Sequence, residues 1–367
     1  MLNPATFPTR RSIGLMLVGL VAFILYLLFF GDFVGFLKVL STLDLRNYAL
    51  FYSLAIFAVV LAVFFDSLVW YSLLDALHAK IKFRKVMLYN WIGNFVEMII
   101  PCETVCGEAT RIYLAQKEPD NNVGLSSATV ISSRLLSTFV YTGGLIIGFI
   151  ALALTHVVPG YLLTIVALIT IGTAAIMTII LYIAFKEGAA ERLVNILMNV
   201  IRIIVKRPAK LEKEKEALQK TLFSFSEAFR TYRKKPQLLI KPAFFAVIAW
   251  FFNLVVYLMV FYSLSFTGIN LLDLATIYCI AATVETLTAG FPVGIVEITM
   301  INLFSIYGVP VAIAVAATTL SRLITFWSQV LIGYPLINLV GLKKPVADSL
   351  KKDGSGLKMP PAIRPTP

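Results

Sequence analysis

Charged residues are scarce in this sequence. Only 14% of its 367 residues are Asp, Glu, Lys or Arg, whereas 59% are hydrophobic and the mean hydropathy is +0.86. A soluble domain of this length could not bury so much apolar surface. The composition therefore excludes a water-soluble protein and predicts an integral membrane protein. Because no long polar segment divides the chain, we expect a single membrane domain over residues 1–343.

Cysteine and histidine are also rare. The three cysteines are Cys102, Cys106 and Cys279, and the two histidines, His78 and His156, lie far apart. These numbers exclude a disulfide framework and provide no metal-ligand spacing. No D-x-D pair, nucleophile elbow or histidine cluster indicates catalysis. We expect no cofactor, no metal site and no enzymatic activity.

Long hydrophobic runs dominate the rest of the chain and predict an all-α polytopic protein. Six runs are long enough to cross a bilayer. They are Ile13–Phe30, Tyr48–Leu74, Val123–Leu154, Tyr161–Phe185, Leu238–Phe266 and Val309–Val340.

Two further apolar segments are interrupted by proline. Val86–Pro101 is followed by the short piece Glu103–Gln116, and Leu271–Pro292 is followed by Val293–Tyr307. Proline removes a helical hydrogen bond, so each segment is predicted to form two half-helices around a break. Such a break inside a bilayer must be shielded by protein or face water, which favours two re-entrant hairpins. The residues predicted at the breaks are Pro101, Gly107, Pro292 and Gly294.

Basic residues orient the predicted spans. Arg10, Arg11, the run Lys80–Lys85, the stretch Lys186–Lys241 and the lysines after Gly341 should all lie in the cytoplasm. Six crossings with both termini inside the cell satisfy this rule. Residues 187–236 are then a cytoplasmic amphipathic segment, and the tail 344–367 is expected to be disordered.

A repeated phrase relates the two halves of the chain. "SSRLLSTF" carries Arg134 and "LSRLITFW" carries Arg322, 188 residues later, while Pro101 and Pro292 are 191 residues apart. Each half contains a span, a broken hairpin and an arginine-bearing span. Since the two arginine spans run in opposite directions in the charge-derived topology, residues 48–154 and 238–340 are predicted to form an inverted-topology repeat.

An arginine in the middle of a span needs a partner or a water-filled cavity, because its insertion costs about 2.5–3.5 kcal/mol. The hairpins supply candidate partners for Arg134 and Arg322. One hypothesis is a purely structural brace between each arginine and a hairpin glutamate, Glu108 for Arg134 and Glu297 for Arg322. The other is that the arginines also bind an anionic headgroup, since guanidinium binds phosphate in bidentate fashion. The candidate residues in the hairpins are Glu97, Glu103, Glu108, Arg111, Glu285 and Glu297.

The segments "PCETVCGEATRIYLA", "FPVGIVEITM" and "SRLITFW" resemble the lysylphosphatidylglycerol synthase transmembrane, or flippase-like, family. That family includes the membrane half of the bacterial multiple peptide resistance factor and the membrane part of an archaeal glycosyltransferase. The resemblance covers roughly Tyr48 to Val340. It implies a polytopic fold with re-entrant helices and a role in moving a lipid across the bilayer.

Three short motifs of the family are only partly matched. The Pro…Gly-Asp-x-x-Arg signature falls on Pro101, Gly107, Glu108 and Arg111, with Glu in place of Asp. The Glu-Arg-x-x-Asp phrase falls on Ser133, Arg134 and Ser137, and the glycine-rich phrase is reduced to Pro292, Gly294 and Glu297. The family's soluble aminoacyl-transferase domain has no counterpart here, so lysine transfer to lipid is not implied.

Three classes of function follow from these observations. The first is a flippase-like protein that translocates or binds an anionic lipid, with polyprenyl-phosphate-linked lipids as one candidate. The second is a secondary transporter of a small anion, and the third is a membrane scaffold or lipid-modifying subunit. Membrane lipids are the expected partners, and no motif indicates nucleic-acid binding.

Overall fold

A computed structural model of the chain describes residues 33–99, 104–119, 121–155, 227–287 and 294–339, together with residues 25, 164, 167–168, 170–175 and 178. Within these ranges the regular structure is entirely helical. We number the helices in chain order: α1 Phe33–Ser41, α2 Leu45–Ala76, α3 Phe83–Ile99, α4 Thr104–Ala115, α5 Val123–Thr155, α6 Ile240–Ser263, α7 Leu271–Leu287, α8 Ile295–Ile306, α9 Val311–Arg322 and α10 Ser328–Leu339. A 3-10 turn, Pro236–Leu239, precedes α6, and a π-helical segment, Leu323–Trp327, joins α9 to α10.

Four stretches are long and apolar enough to cross a membrane in the part of the chain that the structure describes. They are α2, α5, α6 with its preceding turn, and the continuous α9–α10 helix. Each matches a predicted span to within a few residues. An uninterrupted apolar run determines the ends of a membrane helix, because its backbone must form internal hydrogen bonds throughout the lipid. Ile13–Phe30, most of Tyr161–Phe185 and the tail 344–367 lie outside the described residues.

The corresponding first spans of the two halves, α2 and α6, pack side by side in antiparallel directions. Asn47, near the start of α2, donates its side-chain amide to the carbonyl of Tyr262, near the end of α6, at 2.9 Å. Further along α2, the ring of Phe65 stacks on Phe252, with centroids 5.6 Å apart. As residue numbers rise along α2, from Asn47 to Phe65, the numbers of the contacting residues on α6 fall, from Tyr262 to Phe252. The two equivalent helices therefore run in opposite directions.

Basic segments gather at one end of the helix bundle. The hydroxyl of Tyr232 donates to the carbonyl of Leu73 at 2.9 Å, which places the residues before α6 beside the end of α2. At the start of α3, Lys85 contacts Glu118, which follows α4, at 2.8 Å. Burial raises the pKa of Glu118, but hydrogen bonds from Lys85 and Tyr89 outweigh it and lower that pKa below its ordinary value. The two segments predicted to be cytoplasmic therefore share one end of the molecule.

The broken segments form two helix pairs, α3 with α4 and α7 with α8. Gly294 lies at the start of α8 with a φ of 104°, a backbone conformation that favours glycine. Gly107, by contrast, is wrongly predicted as part of a break, because it lies inside α4. A Cβ there would come 2.8 Å from the carbonyl oxygen of Gly93, so this glycine serves the close approach of α4 to α3.

Each helix pair also packs against the arginine-bearing span of the other half. Helix α5 contacts α7, and α10 contacts α3. Glycines allow both contacts: a Cβ on Gly148 of α5 would meet Thr276 of α7, and one on Gly333 of α10 would meet Phe95 of α3, each at 2.3 Å. The same pair of contacts therefore occurs in both directions: the first half's arginine span packs on the second half's helix pair, and the second half's arginine span packs on the first half's helix pair.

Candidate functional site: two buried arginine–glutamate centres

Arg322, the last residue of α9, is held by two glutamates. Its Nε donates to Oε1 of Glu297 on α8 at 2.7 Å, and its Nη1 donates to Oε1 of Glu285 on α7 at 3.0 Å. Only 10% of the Arg322 side chain is exposed. Charge-assisted hydrogen bonds of this length are strong, so the arginine fastens both helices of the second pair to its own span.

Glu297 is itself fixed by the break that precedes α8. Its Oε2 accepts the backbone N–H of Gly294 at 2.6 Å, while its Oε1 accepts Arg322. An acidic side chain in the first turn also interacts favourably with the positive end of the helix dipole. Both carboxylate oxygens are therefore satisfied, and the centre around Arg322 is closed.

Arg134 on α5 has the same kind of neighbours at longer distances. Its Nη2 lies 3.8 Å from Oε1 of Glu97 on α3, and its Nε lies 3.7 Å from Oε1 of Glu108 on α4. The Arg134 side chain is 39% exposed. These separations exceed ordinary hydrogen-bond length but lie within ion-pair range, and the Arg134 side chain is more exposed than that of Arg322.

A second guanidinium belongs to the first centre. Arg111 on α4 donates to the side-chain oxygen of Asn94, and its Nη2 lies 3.7 Å from Oε2 of Glu97. Gly93 provides the space for it, since a Cβ there would come 2.6 Å from Nε of Arg111. Glu97 is thus shared between two arginines.

The two centres are built from residues at matching intervals. Glu97 and Glu285 are 188 residues apart, as Arg134 and Arg322 are, and Glu108 and Glu297 are 189 apart. Each arginine therefore contacts one glutamate from each helix of the adjacent pair. The two centres therefore agree both in spacing and in the pattern of their contacts.

Both arginines lie deep within their spans. Arg134 is the twelfth residue of α5, and Arg322 is the twelfth residue counted from the start of α9. At 1.5 Å per residue, each lies about 17 Å from the start of its helix. This distance is about half the thickness of a hydrocarbon core of about 30 Å.

Three tyrosines lie between the centres. The hydroxyls of Tyr141 on α5 and Tyr278 on α7 are 2.9 Å apart, and the ring of Tyr257 on α6 packs against Tyr278 with centroids 5.4 Å apart. Tyr141 lies within electrostatic range of Arg134 and Asp66, and Tyr257 within range of Arg322. A polar, aromatic strip thus connects the two arginines across the molecule.

The structure brings most of the predicted site residues together. The expected pairs, Arg134 with Glu108 and Arg322 with Glu297, are both present. Sequence reasoning did not assign Glu97 to Arg134, although its spacing from Glu285 carried that signal, and it missed Asn94 and the tyrosines. The predicted site residue Glu103 and the predicted break residues Pro101 and Pro292 lie outside the described residues.

This architecture defines a multi-pass helical membrane protein in which long apolar helices carry paired arginine–glutamate centres. The chain belongs to the family described as the lysylphosphatidylglycerol synthase TM region, whose sequence model matches residues 15–333. The resemblance drawn from the short motifs is thereby confirmed.

Three archaeal relatives match most of the chain. A UPF0104 membrane protein of Pyrococcus horikoshii is 28% identical over 340 residues, covering 88% of this chain and 95% of the relative. A UPF0104 membrane protein of Methanocaldococcus jannaschii is 24% identical, covering 86% and 92% respectively. One from Methanothermobacter thermautotrophicus is also 24% identical, covering 77% and 82%.

Proposed function

We propose that the protein binds an anionic lipid and translocates it across the cell membrane, with the headgroup entering a cavity beside the arginine centres. The observation that carries this proposal is the 39% exposure of the Arg134 side chain, twelve residues into an apolar span. A guanidinium at that depth is not left facing lipid tails, so its open face implies water or a polar ligand. A phosphate matches its planar donor geometry.

The same contacts support a membrane topology for the proposal. We infer that the α3–α4 and α7–α8 pairs are re-entrant hairpins of an inverted repeat within six spans, with both termini in the cytoplasm. The antiparallel α2 and α6 and the gathering of basic segments at one end support this arrangement. Translocation requires access to the site from both sides, which an inverted repeat provides by symmetric rocking.

We expect labelling of single cysteines to distinguish the two ends of the molecule. In a variant without native cysteines, Lys82→Cys at the basic end should react only with cytoplasmic reagent, because it belongs to Lys80–Lys85. Thr42→Cys, beyond α1, should react only from outside. The accessibility of both cysteines is measured with a membrane-impermeant maleimide. Intact cells report labelling from outside, and inverted vesicles report labelling from the cytoplasmic side. Labelling of both positions from the same side would contradict the inferred topology.

A secondary transporter of a small anion is the second candidate, and the internal repeat favours it. The two candidates differ in the cargo, since a lipid carries its phosphate on acyl or prenyl chains and a free anion does not. We propose no enzymatic role, because the described centres hold arginine and glutamate without a nucleophile–base pair.

Reconstituted translocation tests the proposal directly. Liposomes containing the full chain and fluorescently labelled phosphatidylglycerol, phosphatidylcholine or polyprenyl phosphate should show faster transfer of the anionic lipids than protein-free liposomes. Arg134→Lys should slow that transfer, because an ammonium lacks the planar fork of a guanidinium. Arg46→Lys, the same change at an exposed arginine at the start of α2, is the matched control and should leave the rate unchanged. Equal transfer rates with and without protein would overturn lipid translocation.

A further inference from the structure

One acidic residue within an apolar span lies outside both arginine–glutamate centres. Asp66 is the twenty-second residue of α2, about 15 Å from the end of that helix at 1.5 Å per residue. We propose that Asp66 is a proton-binding site, and that its proton crosses the membrane together with the anionic lipid. The proposal rests on the proposed translocation and adds to it the ion that drives transport.

The contacts of Asp66 place it inside the helix bundle. Its Oδ2 accepts a hydrogen bond from the side-chain amide of Asn90 on α3 at 2.9 Å, and the same amide donates to Ser67 at 3.1 Å. One turn further along α2, the indole of Trp70 donates to Thr129 on α5 at 3.2 Å. Because residues four apart share one helix face, Asp66 faces the region between α3 and α5.

The ionisable groups around Asp66 come from α5. Arg134 and Tyr141 both lie within electrostatic range of it. The stretch of α3 around Asn90 and the stretch of α6 around Phe252 carry no ionisable residue, and neither do the 3-10 turn and the π-helical segment that also pack on α2. Within the described ranges no arginine or lysine forms an ion pair with Asp66. Its hydrogen-bond partner is a neutral amide.

The two halves of the chain allow this position to be compared with its equivalent. The tripeptide Tyr-Ser-Leu occurs in α2 and again 191 residues later in α6, so Asp66 corresponds to Tyr257. The first helices of the two pairs correspond at an interval of 188 residues, so Asn90 corresponds to Tyr278. The rings of these two tyrosines pack together with centroids 5.4 Å apart. Since neutral side chains fill the same place in the second half, the fold does not require a carboxylate there.

Formal charges among the described residues of the two centres and α2 favour proton binding. They comprise five carboxylates and three guanidinium groups, namely Asp66, Glu97, Glu108, Glu285 and Glu297 against Arg111, Arg134 and Arg322. An acid within a membrane that lacks a counter-charge is stabilised by taking up a proton. Each of the four glutamates contacts an arginine, whereas Asp66 is bonded to an amide. Asp66 is therefore the acid of this set that binds and releases a proton with least disturbance of the braces.

Electrostatic repulsion couples the proton to the lipid. An ionised Asp66 repels a phosphate that enters the cavity beside the arginine centres, whereas the neutral acid does not. One proton from water on one side binds the carboxylate, and the resulting acid releases it to water on the other side. The amide of Asn90 donates to Oδ2 in both states, which leaves Oδ1 for the proton. One lipid anion and one proton then cross together without net charge.

A pH gradient across proteoliposomes tests the coupling. Full-length protein is reconstituted with a trace of fluorescent phosphatidylglycerol, and the membrane potential is held at zero with potassium and valinomycin. Quenching from outside measures the ratio of label between the leaflets. For one proton per lipid, a gradient of one pH unit should give a ratio of about ten, with the label enriched on the alkaline side. Asp66→Asn protein, which cannot take up the proton, should give a ratio of about one.

Two variants and a spectroscopic measurement serve as controls. Asp75→Asn makes the same change at an exposed acid near the end of α2 and should keep the wild-type ratio. Asp66→Glu retains an acid and should also enrich the label on the alkaline side. Infrared difference spectra between acidic and neutral pH detect the proton without transport. Wild-type protein and Asp75→Asn should show a protonated carboxylic acid band that folded Asp66→Asn lacks.

The contrary outcomes are distinct. A wild-type leaflet ratio of one in the pH gradient, despite lipid transfer, overturns proton coupling, and so does a ratio that follows a sodium gradient instead. An Asp66→Asn protein with the wild-type ratio overturns the assignment to Asp66. If wild-type protein transfers no lipid under any condition, the proposed function fails. The infrared band then decides separately whether Asp66 binds a proton, and its presence in Asp66→Asn would refute that site.

Discussion

Replacing Arg322 with alanine is expected to destabilise the fold by about 3–5 kcal/mol, because it leaves the buried carboxylate of Glu297 without its counter-charge. Glu297 is 3% exposed and cannot turn to water, and Glu285 loses its bond from Nη1. The brace between α7, α8 and the α9–α10 span would be lost at the same time. Thermal unfolding and the yield of monodisperse protein in detergent measure the effect.

Two variants control for this prediction. Arg134→Ala makes the same change in the open centre and should cost less, because its contacts are longer and the side chain is 39% exposed. Arg322→Met combined with Glu285→Gln and Glu297→Gln removes both sides of the ion pairs and should recover part of the stability. An Arg322→Ala protein as stable as wild type would contradict the role of Arg322 as a brace.

Gly148→Ala is expected to separate α5 from α7 and to destabilise the protein by about 1–3 kcal/mol, the usual cost of overpacking. A Cβ at this position would lie 2.3 Å from Oγ1 and 2.9 Å from Cα of Thr276. The second of these atoms is backbone and cannot move aside by a change of rotamer. Since α5 carries Arg134, the change should also reduce lipid translocation. Unfolding temperature and the transfer assay measure the two effects.

Gly143 provides the matched control on the same helix. A Cβ there meets no atom within 4 Å among the described residues, so Gly143→Ala should be neutral or slightly stabilising through better helix propensity. If the two alanine variants unfold at the same temperature, the close contact between α5 and α7 is not a determinant of stability.

The spans could be predicted from sequence because length and apolarity alone specify them. Val123–Leu154 corresponds to α5, which ends one residue later, at Thr155. The π-helical segment Leu323–Trp327 could not be predicted, since its apolar residues are equally compatible with an α-helix. The motif predicts Gly107 at a break, whereas in the structure this glycine lies inside α4 and permits close contact with Gly93. Whether a glycine breaks a helix or allows a second helix to approach depends on the neighbouring helix. The residues around the glycine do not carry that information.

The arginine centres were only partly predictable. The repeated phrase around Arg134 and Arg322 identified the two cations, and the hairpins identified Glu108 and Glu297 as partners. The arginine–glutamate distances differ between the two centres by no more than about 1 Å. Arg111 contacts Glu97 in the first centre only because α3, α4 and α5 pack together. No pattern in the sequence distinguishes a closed ion pair from an open one.

An experimental density map of the protein in nanodiscs containing phosphatidylglycerol tests the central claim most directly. The account predicts headgroup density between α4 and α5, with a phosphate oxygen within about 3 Å of the Arg134 guanidinium, the length of a charge-assisted hydrogen bond. Lipid density confined to the outer surface of the helices, with Arg134 closed onto Glu97 and Glu108, would contradict it.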